Sequence, residues 1–294
     1  MLYHSELNLI SQLAALDLPT DPATLPDYTL GQMVEALLAK VDTLGGDAAM
    51  SSKEWLASLR LMKENPRLTP LKVLAYTNQP ENGLVGYCFS DLTPDSGIVA
   101  FRGTTGIGWI DNIRGGFICD TPQQLKALEY YHLVDTTFHF DHYTMTGHSK
   151  GGNNGQYITI VDGAKVSDCV TFNSQGFSSE FIRKYALQIK ENKIKIVAFE
   201  SAWDVVNILL NSIAGKRVVV GTESKLPQNN HPPNSLLDKS GDIRKLDQRH
   251  PLYVGFQGLT MSLTLMASKA KQQLEKNRNE KNNSEHNNTK KNKG

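Results

Sequence analysis

The sequence has few cysteines, almost no net charge and no long apolar run. Its three cysteines, Cys88, Cys119 and Cys169, lie far apart without Cys-x-x-Cys spacing. That pattern argues against a disulfide framework or a zinc site and favours a reducing compartment. The net charge of +1 gives no strong field that would attract nucleic acid, so we expect no nucleic-acid partner.

We expect no segment that would direct the chain to or across a membrane. No stretch approaches the ~20 apolar residues that span a bilayer, and residues 1–6 lack the basic start of a Sec-type signal peptide. The cytoplasm is therefore the expected location, with leaderless export as the alternative. With 294 residues, of which 39% are apolar and 21% charged, the chain suits one large α/β domain or two small ones.

Residues 1–70 are expected to form an N-terminal helical segment that packs on a sheet and covers one edge of it. Apolar residues share one helical face over residues 7–18, and a second helix is expected over 30–44. Ser51 and Glu54 form a capping box that opens a third helix. A separate helical module is the alternative interpretation.

Residues 71–275 alternate between predicted strands and helices. Strands are expected over 71–76, 84–89, 97–101, 143–146, 165–172, 193–199 and 216–220, the first two joined as a hairpin, with helices over 121–133, after 153, over 178–191 and over 262–274. Such alternation predicts an α/β fold with a mostly parallel sheet and flanking helices. The polar tail, 276–294, cannot bury a core and is expected to be disordered.

One further apolar segment, Trp203 to Ala214, has two interpretations. It carries six aliphatic residues within twelve positions. A buried helix is the simpler interpretation. A wall or lid over an apolar substrate is the alternative.

The stretch Gly147-His148-Ser149-Lys150-Gly151 follows a β-branched and aromatic run and precedes a segment able to form a helix. G-x-S-x-G in this setting is typical of a nucleophile elbow, a strained turn that lifts the serine hydroxyl out of the sheet. A Cβ at either glycine would collide with neighbouring backbone. The alternative is a glycine-rich turn with an idle serine.

A serine nucleophile needs a base within hydrogen-bonding reach, and histidine is the usual one. On such a sheet the chain order is serine, then acid, then histidine. Three histidines follow Ser149. His231 lies in a loop that prolines stiffen and is the expected base, whereas His250 is the alternative. His286 belongs to the polar tail, which cannot hold a base in position.

The carboxylate that orients the base is expected to follow a later strand. Asp204 does so and is the preferred candidate. Glu200 and Asp168 compete with it. Glu200 ends its predicted strand, where a solvated or ion-paired side chain is the simpler interpretation, and Asp168 lies within a strand run.

The third requirement is an oxyanion hole. One donor is expected to be the backbone N–H of Lys150, the residue after the nucleophile. The other is expected from the loop after the strand at 97–101, where Thr104 supplies its N–H with its hydroxyl as support. Arg102 in the same loop is expected to form a structural ion pair.

Three stretches taken together resemble the class 3 lipases. They are Val99-Ala100-Phe101-Arg102-Gly103-Thr104, Trp109-Ile110-Asp111, and Thr146-Gly147-His148-Ser149-Lys150-Gly151-Gly152. They are more similar still to a bacterial lipase-like branch of that group with lysine after the serine. The resemblance covers about residues 70–235.

The resemblance implies the α/β-hydrolase fold, with Ser149 as nucleophile and Thr104 at the oxyanion hole. Asp204 falls in a stretch similar to the family's acid segment, and His231 falls in the expected final loop. The chain also departs from the family. Most class 3 lipases carry leucine where Lys150 stands, and many are secreted with leaders.

These residues predict a serine hydrolase that cleaves carboxylic esters, foremost acyl lipids, through a Ser149, His231 and Asp204 triad and an acyl-enzyme. The chemistry needs no metal or cofactor. An ester or lipid is the expected partner, and transient contact with a membrane surface is compatible with it. Two alternatives remain open, a catalytically inactive binding or scaffold protein and an effector lipase exported without a leader.

Overall fold

The computed structural model describes residues 1–44, 50–103, 119–226 and 229–249, and beyond them residues 251, 254–259, 262, 266, 269 and 273. Within these residues seven strands form one sheet, in chain order from edge to edge. The strands are β1 (Val73–Gln79), β2 (Leu84–Ser90), β3 (Ser96–Phe101), β4 (His142–His148), β5 (Val166–Phe172), β6 (Ile196–Ser201) and β7 (Lys216–Val220).

Helices flank this sheet, and polar side chains cap several of them. They are α1 (His4–Leu13), α2 (Leu30–Leu38), α3 (Ser52–Glu64), α4 (Pro122–Phe138), α5 (Lys150–Val161), α6 (Ser179–Lys184) and α7 (Ala186–Asn192). The predicted capping box of α3 is present, because Ser51 N–H donates to Glu54 at 2.8 Å while Glu54 N–H donates back to Ser51 Oγ. Thr121 caps α4 in the same way.

The sheet is antiparallel at one end and parallel through the rest. The predicted hairpin joins β1 to β2, β2 pairs antiparallel with β3, and β3 to β7 pair in parallel. Each parallel strand lies beside the next one along the chain. From β3 to β7, each new strand is added on the same side of the one before it. Because strand–helix–strand crossovers are right-handed, the connecting helices α4, α5, α6 and α7 all lie on the same face of the sheet. This is the predicted α/β fold, a mostly parallel sheet with flanking helices.

The opposite face is covered by the N-terminal helices. Strand residues alternate between the two sides: Val99, Met145 and Cys169 belong to the core under α4 and α5, whereas Val170 and Phe172 belong to the core with α1 to α3. Both cores therefore depend on one sheet.

The first helix lies over the middle of the sheet and not at its edge, where we expected the N-terminal helices. It contacts β4 and β5, and its Ile10 and Leu13 are fully buried. The residues just after it are held too, because Tyr87 Oη donates to the Leu16 carbonyl at 2.7 Å. The expected position at the edge was wrong because the crossover helices α4 to α7 pack on one face only. The whole opposite face of the sheet is therefore left for the N-terminal helices to cover.

Other expectations also differ from the structure. The helix expected over 30–44 ends at Leu38, and a short 3-10 turn follows at Val41–Thr43. The helix predicted over 178–191 is two short helices, because Tyr185 leaves helical geometry and its hydroxyl donates to Asp120 at 2.9 Å. The strand predicted over 193–199 starts at Ile196, after a short 3-10 turn. The helix predicted over 262–274 and the tail from 276 lie largely or wholly outside the described residues.

The apolar segment Trp203 to Ala214 is not a helix. Its backbone groups bond elsewhere: the Asp204 carboxylate accepts the first N–H groups, and Asn211 pairs with Phe177 as an isolated bridge. Its apolar residues Val206 and Ile208 are buried nevertheless. Apolar spacing indicated the burial correctly but not the backbone. A role as a wall or lid stays a prediction.

Candidate active site

Ser149 lies in a strained turn between β4 and α5. Its φ of 54° and ψ of −122° fall in a region that side-chain-bearing residues rarely adopt. The two flanking glycines make the turn sterically possible. A Cβ at Gly151 would lie 2.0 Å from the Phe101 carbonyl oxygen, and one at Gly147 would lie 2.5 Å from the Gly151 carbonyl carbon. The collisions predicted from the sequence are therefore present.

The structure brings Ser149, His231 and Asp204 together. Ser149 Oγ lies 3.1 Å from His231 Nε2, and His231 Nδ1 lies 3.1 Å from Asp204 Oδ1. With the Nδ1 proton donated to the carboxylate, Nε2 is left as the acceptor for the serine hydroxyl. Asp204 is fully buried, and the Ser149 residue is only 7% exposed. The arrangement can relay a proton away from a serine.

Asp204 is held by its own loop. Its two carboxylate oxygens accept the N–H groups of Val206 at 3.1 Å and Asn207 at 3.0 Å. Together the two bonds fix the plane of the carboxylate. The acid therefore faces the imidazole from a rigid turn at the end of β6.

The other two candidate acids, Glu200 and Asp168, have different surroundings. Glu200 accepts two hydrogen bonds from Arg217, at 2.9 and 2.8 Å, and Arg249 donates to it at 2.5 Å. It is the ion-paired side chain that the sequence suggested as the simpler interpretation. Asp168 pairs in register with Thr144, at the opposite end of β4 from the elbow. His250 and His286 lie outside the described residues.

The predicted oxyanion hole is described only in part. Lys150 begins α5, so its N–H is among the first helical donors, which have no acceptor within the helix. Thr104 lies outside the described residues, as does the Trp109 to Asp111 stretch. Gly103, the residue before Thr104, lies close to the nucleophile. A Cβ at Gly103 would lie 3.3 Å from Ser149 Cβ. Arg102 forms the expected ion pair, with Asp17 at 3.1 Å.

The side chain of Lys150 is buried beneath the elbow. Its Nζ donates to Asn153 Oδ1 at 3.2 Å, and that oxygen also accepts from Gln124 Nε2 at 2.7 Å. Burial lowers the pKa of Lys150 to about 8, because a charged amine loses hydration that one neutral amide does not replace. Nothing in the sequence indicated that this lysine points inward.

His148, the residue before the nucleophile, holds the backbone of the base. Its Nε2 donates to the His231 carbonyl at 2.7 Å, and the two rings lie 4.6 Å apart. Burial, and secondly the positive charge that His231 can carry, hold the pKa of His148 well below its usual value. His148 is therefore a neutral donor. In the sequence, only its position next to Ser149 in the motif indicated that His148 belongs to the site.

No cluster of three or more His, Cys, Asp or Glu side chains that could hold a metal ion occurs in the described part of the chain. The helices within that part include none long and apolar enough to cross a bilayer.

Comparison with known proteins gives one family and several solved structures. A family model described as Mbeg1-like matches residues 62–275, more than half of the chain. No curated protein sequence matches it. Similar solved structures include a Rhizomucor miehei lipase in its propeptide complex, at 12% identity and TM-score 0.48, covering 83% of this chain and 81% of that one. They also include the Lip2 lipase of Yarrowia lipolytica, at 12% identity and TM-score 0.46, covering 85% and 88%.

Proposed function

The chain belongs to the Mbeg1-like family, and from the site that its fold assembles we propose that it is a serine hydrolase of carboxylic esters. One observation carries the proposal: the His231 ring contacts Ser149 Oγ through one nitrogen and Asp204 through the other, each at 3.1 Å. A buried carboxylate, an oriented imidazole and a serine on a strained turn are the parts that acyl transfer needs.

In the proposed reaction the Ser149 hydroxyl gives its proton to His231 Nε2 while its oxygen attacks the ester carbonyl carbon. The Asp204 carboxylate stays ionised and stabilises the imidazolium. The oxyanion is bound by the N–H of Lys150 and by that of Thr104, which we assign from the sequence motif. The imidazolium then protonates the departing alkoxide, and a water activated by the same ring releases the acyl group.

We propose acyl lipids as the substrate class. The support is the resemblance of the two motifs around Arg102 and Ser149 to those of class 3 lipases. The inactive-scaffold alternative has no specific observation in its favour, since the imidazole lies within hydrogen-bonding distance of both its partners.

The proposal is tested with a fluorophosphonate probe and a p-nitrophenyl ester series. We expect the probe to label the wild-type protein on Ser149, and Ser149→Ala to lower hydrolysis by about 10⁴-fold or more. Ser167→Ala is the matched control, because its hydroxyl donates to the Tyr143 carbonyl near the other end of β4. That variant is expected to keep both labelling and hydrolysis. A folded wild-type protein that neither reacts nor hydrolyses any ester would contradict the proposal and favour a scaffold.

We further propose that the C-terminal region contacts anionic membrane surfaces transiently. Residues 251–268 contain no charged side chain, and after them lysine and arginine outnumber aspartate and glutamate eight to three. Of the described residues there, Val254, Phe256 and Leu259 are about half exposed. Apolar side chains beside a basic segment favour anionic lipid. Cosedimentation with phosphatidylglycerol vesicles is expected to fall with added salt and with Phe256→Glu; equal binding to phosphatidylcholine would contradict it.

The cytoplasm is the proposed location. The support is that all three cysteines are free thiols, because a reducing compartment keeps cysteines in this form. Cell fractionation tests this, and recovery of the protein from the culture medium of intact cells would favour leaderless export instead.

A further inference from the structure

Asn173 is a buried amide at the edge of the candidate site that the proposed mechanism does not use. It directly follows β5, is fully buried, and has a φ of 46°. This left-handed conformation is one that asparagine tolerates better than most residues. The turn directs the side chain toward the loops that follow β6 and β7.

Every hydrogen-bonding position of this amide is occupied. Its Nδ2 donates to the carbonyls of Asn230 at 2.9 Å and His231 at 3.0 Å. Its Oδ1 accepts from Ser201 N–H at 2.8 Å and from Asn207 Nδ2 at 3.1 Å. An amide has two donor hydrogens and two acceptor lone pairs, so Asn173 is saturated.

The four bonds join the two loops that carry the acid and the base. On one side, Asn173 holds the backbone of His231 itself. On the other, it holds Asn207, whose N–H donates to the Asp204 carboxylate at 3.0 Å. One side chain therefore lies between the backbone of the base and the loop of the acid.

We propose that Asn173 is a positioning residue that sets the distance and angle between the His231 imidazole and the Asp204 carboxylate. The inference rests on the proposed function, because that geometry matters only if the imidazole acts as a base. Aspartate is nearly the same size but lacks both donor hydrogens, and it would place carboxylate oxygens against two carbonyl oxygens. Misplacing a catalytic group by about 1 Å can lower a rate about 10²-fold.

The test is Asn173→Asp, with Asn173→Gly as a second variant because glycine also accepts a positive φ. In both, kcat for a p-nitrophenyl ester, per mole of folded protein, is expected to fall about 10²-fold while KM changes by less than about twofold.

Gln156→Ala is the matched control. Gln156 is an equally buried amide near the same strand end, but its Nε2 donates to Thr171 at 2.9 Å and Ser174 at 2.7 Å. It is expected to lower the melting temperature and leave kcat unchanged. If the two Asn173 variants keep the wild-type kcat, or if Gln156→Ala lowers kcat as much as they do, the inference is wrong.

A readout independent of hydrolysis separates this inference from the proposed function. The proton shared by His231 Nδ1 and Asp204 should give a far-downfield NMR resonance, identified by its absence in Asp204→Ala. We expect it in the wild-type protein and in Gln156→Ala, and its loss or displacement in the Asn173 variants. An unchanged resonance in those variants would overturn the positioning role, whatever the protein hydrolyses. A resonance that responds as expected, in a protein that hydrolyses no ester, would instead contradict the proposed function.

Discussion

Replacing Lys150 by methionine is expected to stabilise the folded protein at neutral pH. Lys150 is only 4% exposed, and burial lowers the pKa of its amine from 10.5 to about 8. At about 1.4 kcal/mol for each pH unit between the two values, the charged lysine destabilises the fold by about 3 kcal/mol. Methionine removes this penalty but also removes the bond to Asn153, worth about 1 kcal/mol. The net expected gain is about 2 kcal/mol.

The sign of the pH dependence follows from the same pKa values. Below pH 8 the lysine is charged in both states, so the full penalty is present. Between about pH 8 and 10.5 the unfolded chain binds more protons than the folded one, so wild-type stability rises with pH. The advantage of Lys150→Met should therefore shrink by about 2.5 kcal/mol between about pH 7 and pH 10.

Urea unfolding of the wild-type protein and Lys150→Met at about pH 7 and pH 10 measures this difference in stability. The contributions of other titrating groups cancel in the difference, because both proteins contain them. Lys190→Met, at an exposed position on α7, is the control and should differ little from wild type at either pH. Esterase activity should survive in Lys150→Met, because the proposed oxyanion donor is the backbone N–H. A variant less stable than wild type at pH 7, or a difference that ignores pH, would refute the reasoning.

Two further substitutions test the elbow and the Glu200 ion pairs by urea unfolding. Gly151→Ala places a methyl group 2.0 Å from the Phe101 carbonyl oxygen, which should lower the free energy of unfolding by about 3 kcal/mol or more. Gly155→Ala, whose Cβ would lie 3.4 Å from the nearest atom, should be neutral or stabilising; equal effects would contradict the steric argument. Glu200→Gln leaves two partly or fully buried guanidinium groups without a counter-charge and should destabilise by about 3–5 kcal/mol. Glu129→Gln is the control: it lies in an exposed ion pair with Lys126 and should change stability by less than about 0.5 kcal/mol. An equally small effect of Glu200→Gln would show that the buried ion pairs contribute little to stability.

Local sequence rules predicted the parts of the fold that depend on local chemistry. The elbow could be predicted because Gly147 and Gly151 leave the backbone few alternatives around a serine. The hairpin and the α3 cap followed from turn and capping residues for the same reason. Chain order was enough to bring Asp204 and His231 forward as candidates, and their catalytic roles stay a prediction.

The parts that could not be predicted depend on distant partners. The helix expected over 203–214 was wrong because the Asp204 carboxylate takes the N–H groups that would have opened it. Asn173 carried no signal, since its partners are 28 to 58 residues away along the chain. The inward direction of Lys150 was equally invisible, because a lysine at the start of a helix is usually solvated.

The position of α1 has a consequence for how the chain folds. Asn8 donates to the Pro233 carbonyl at 3.1 Å across 225 residues of sequence, and α1 rests on strands that are synthesised more than a hundred residues later. During translation α1 is synthesised before β4 and β5, so its buried side chains have no surface to pack on until those strands are paired. Contacts so remote in sequence slow folding and leave apolar surface open to aggregation. We therefore expect the nascent chain to expose this surface to chaperones until β5 has been synthesised.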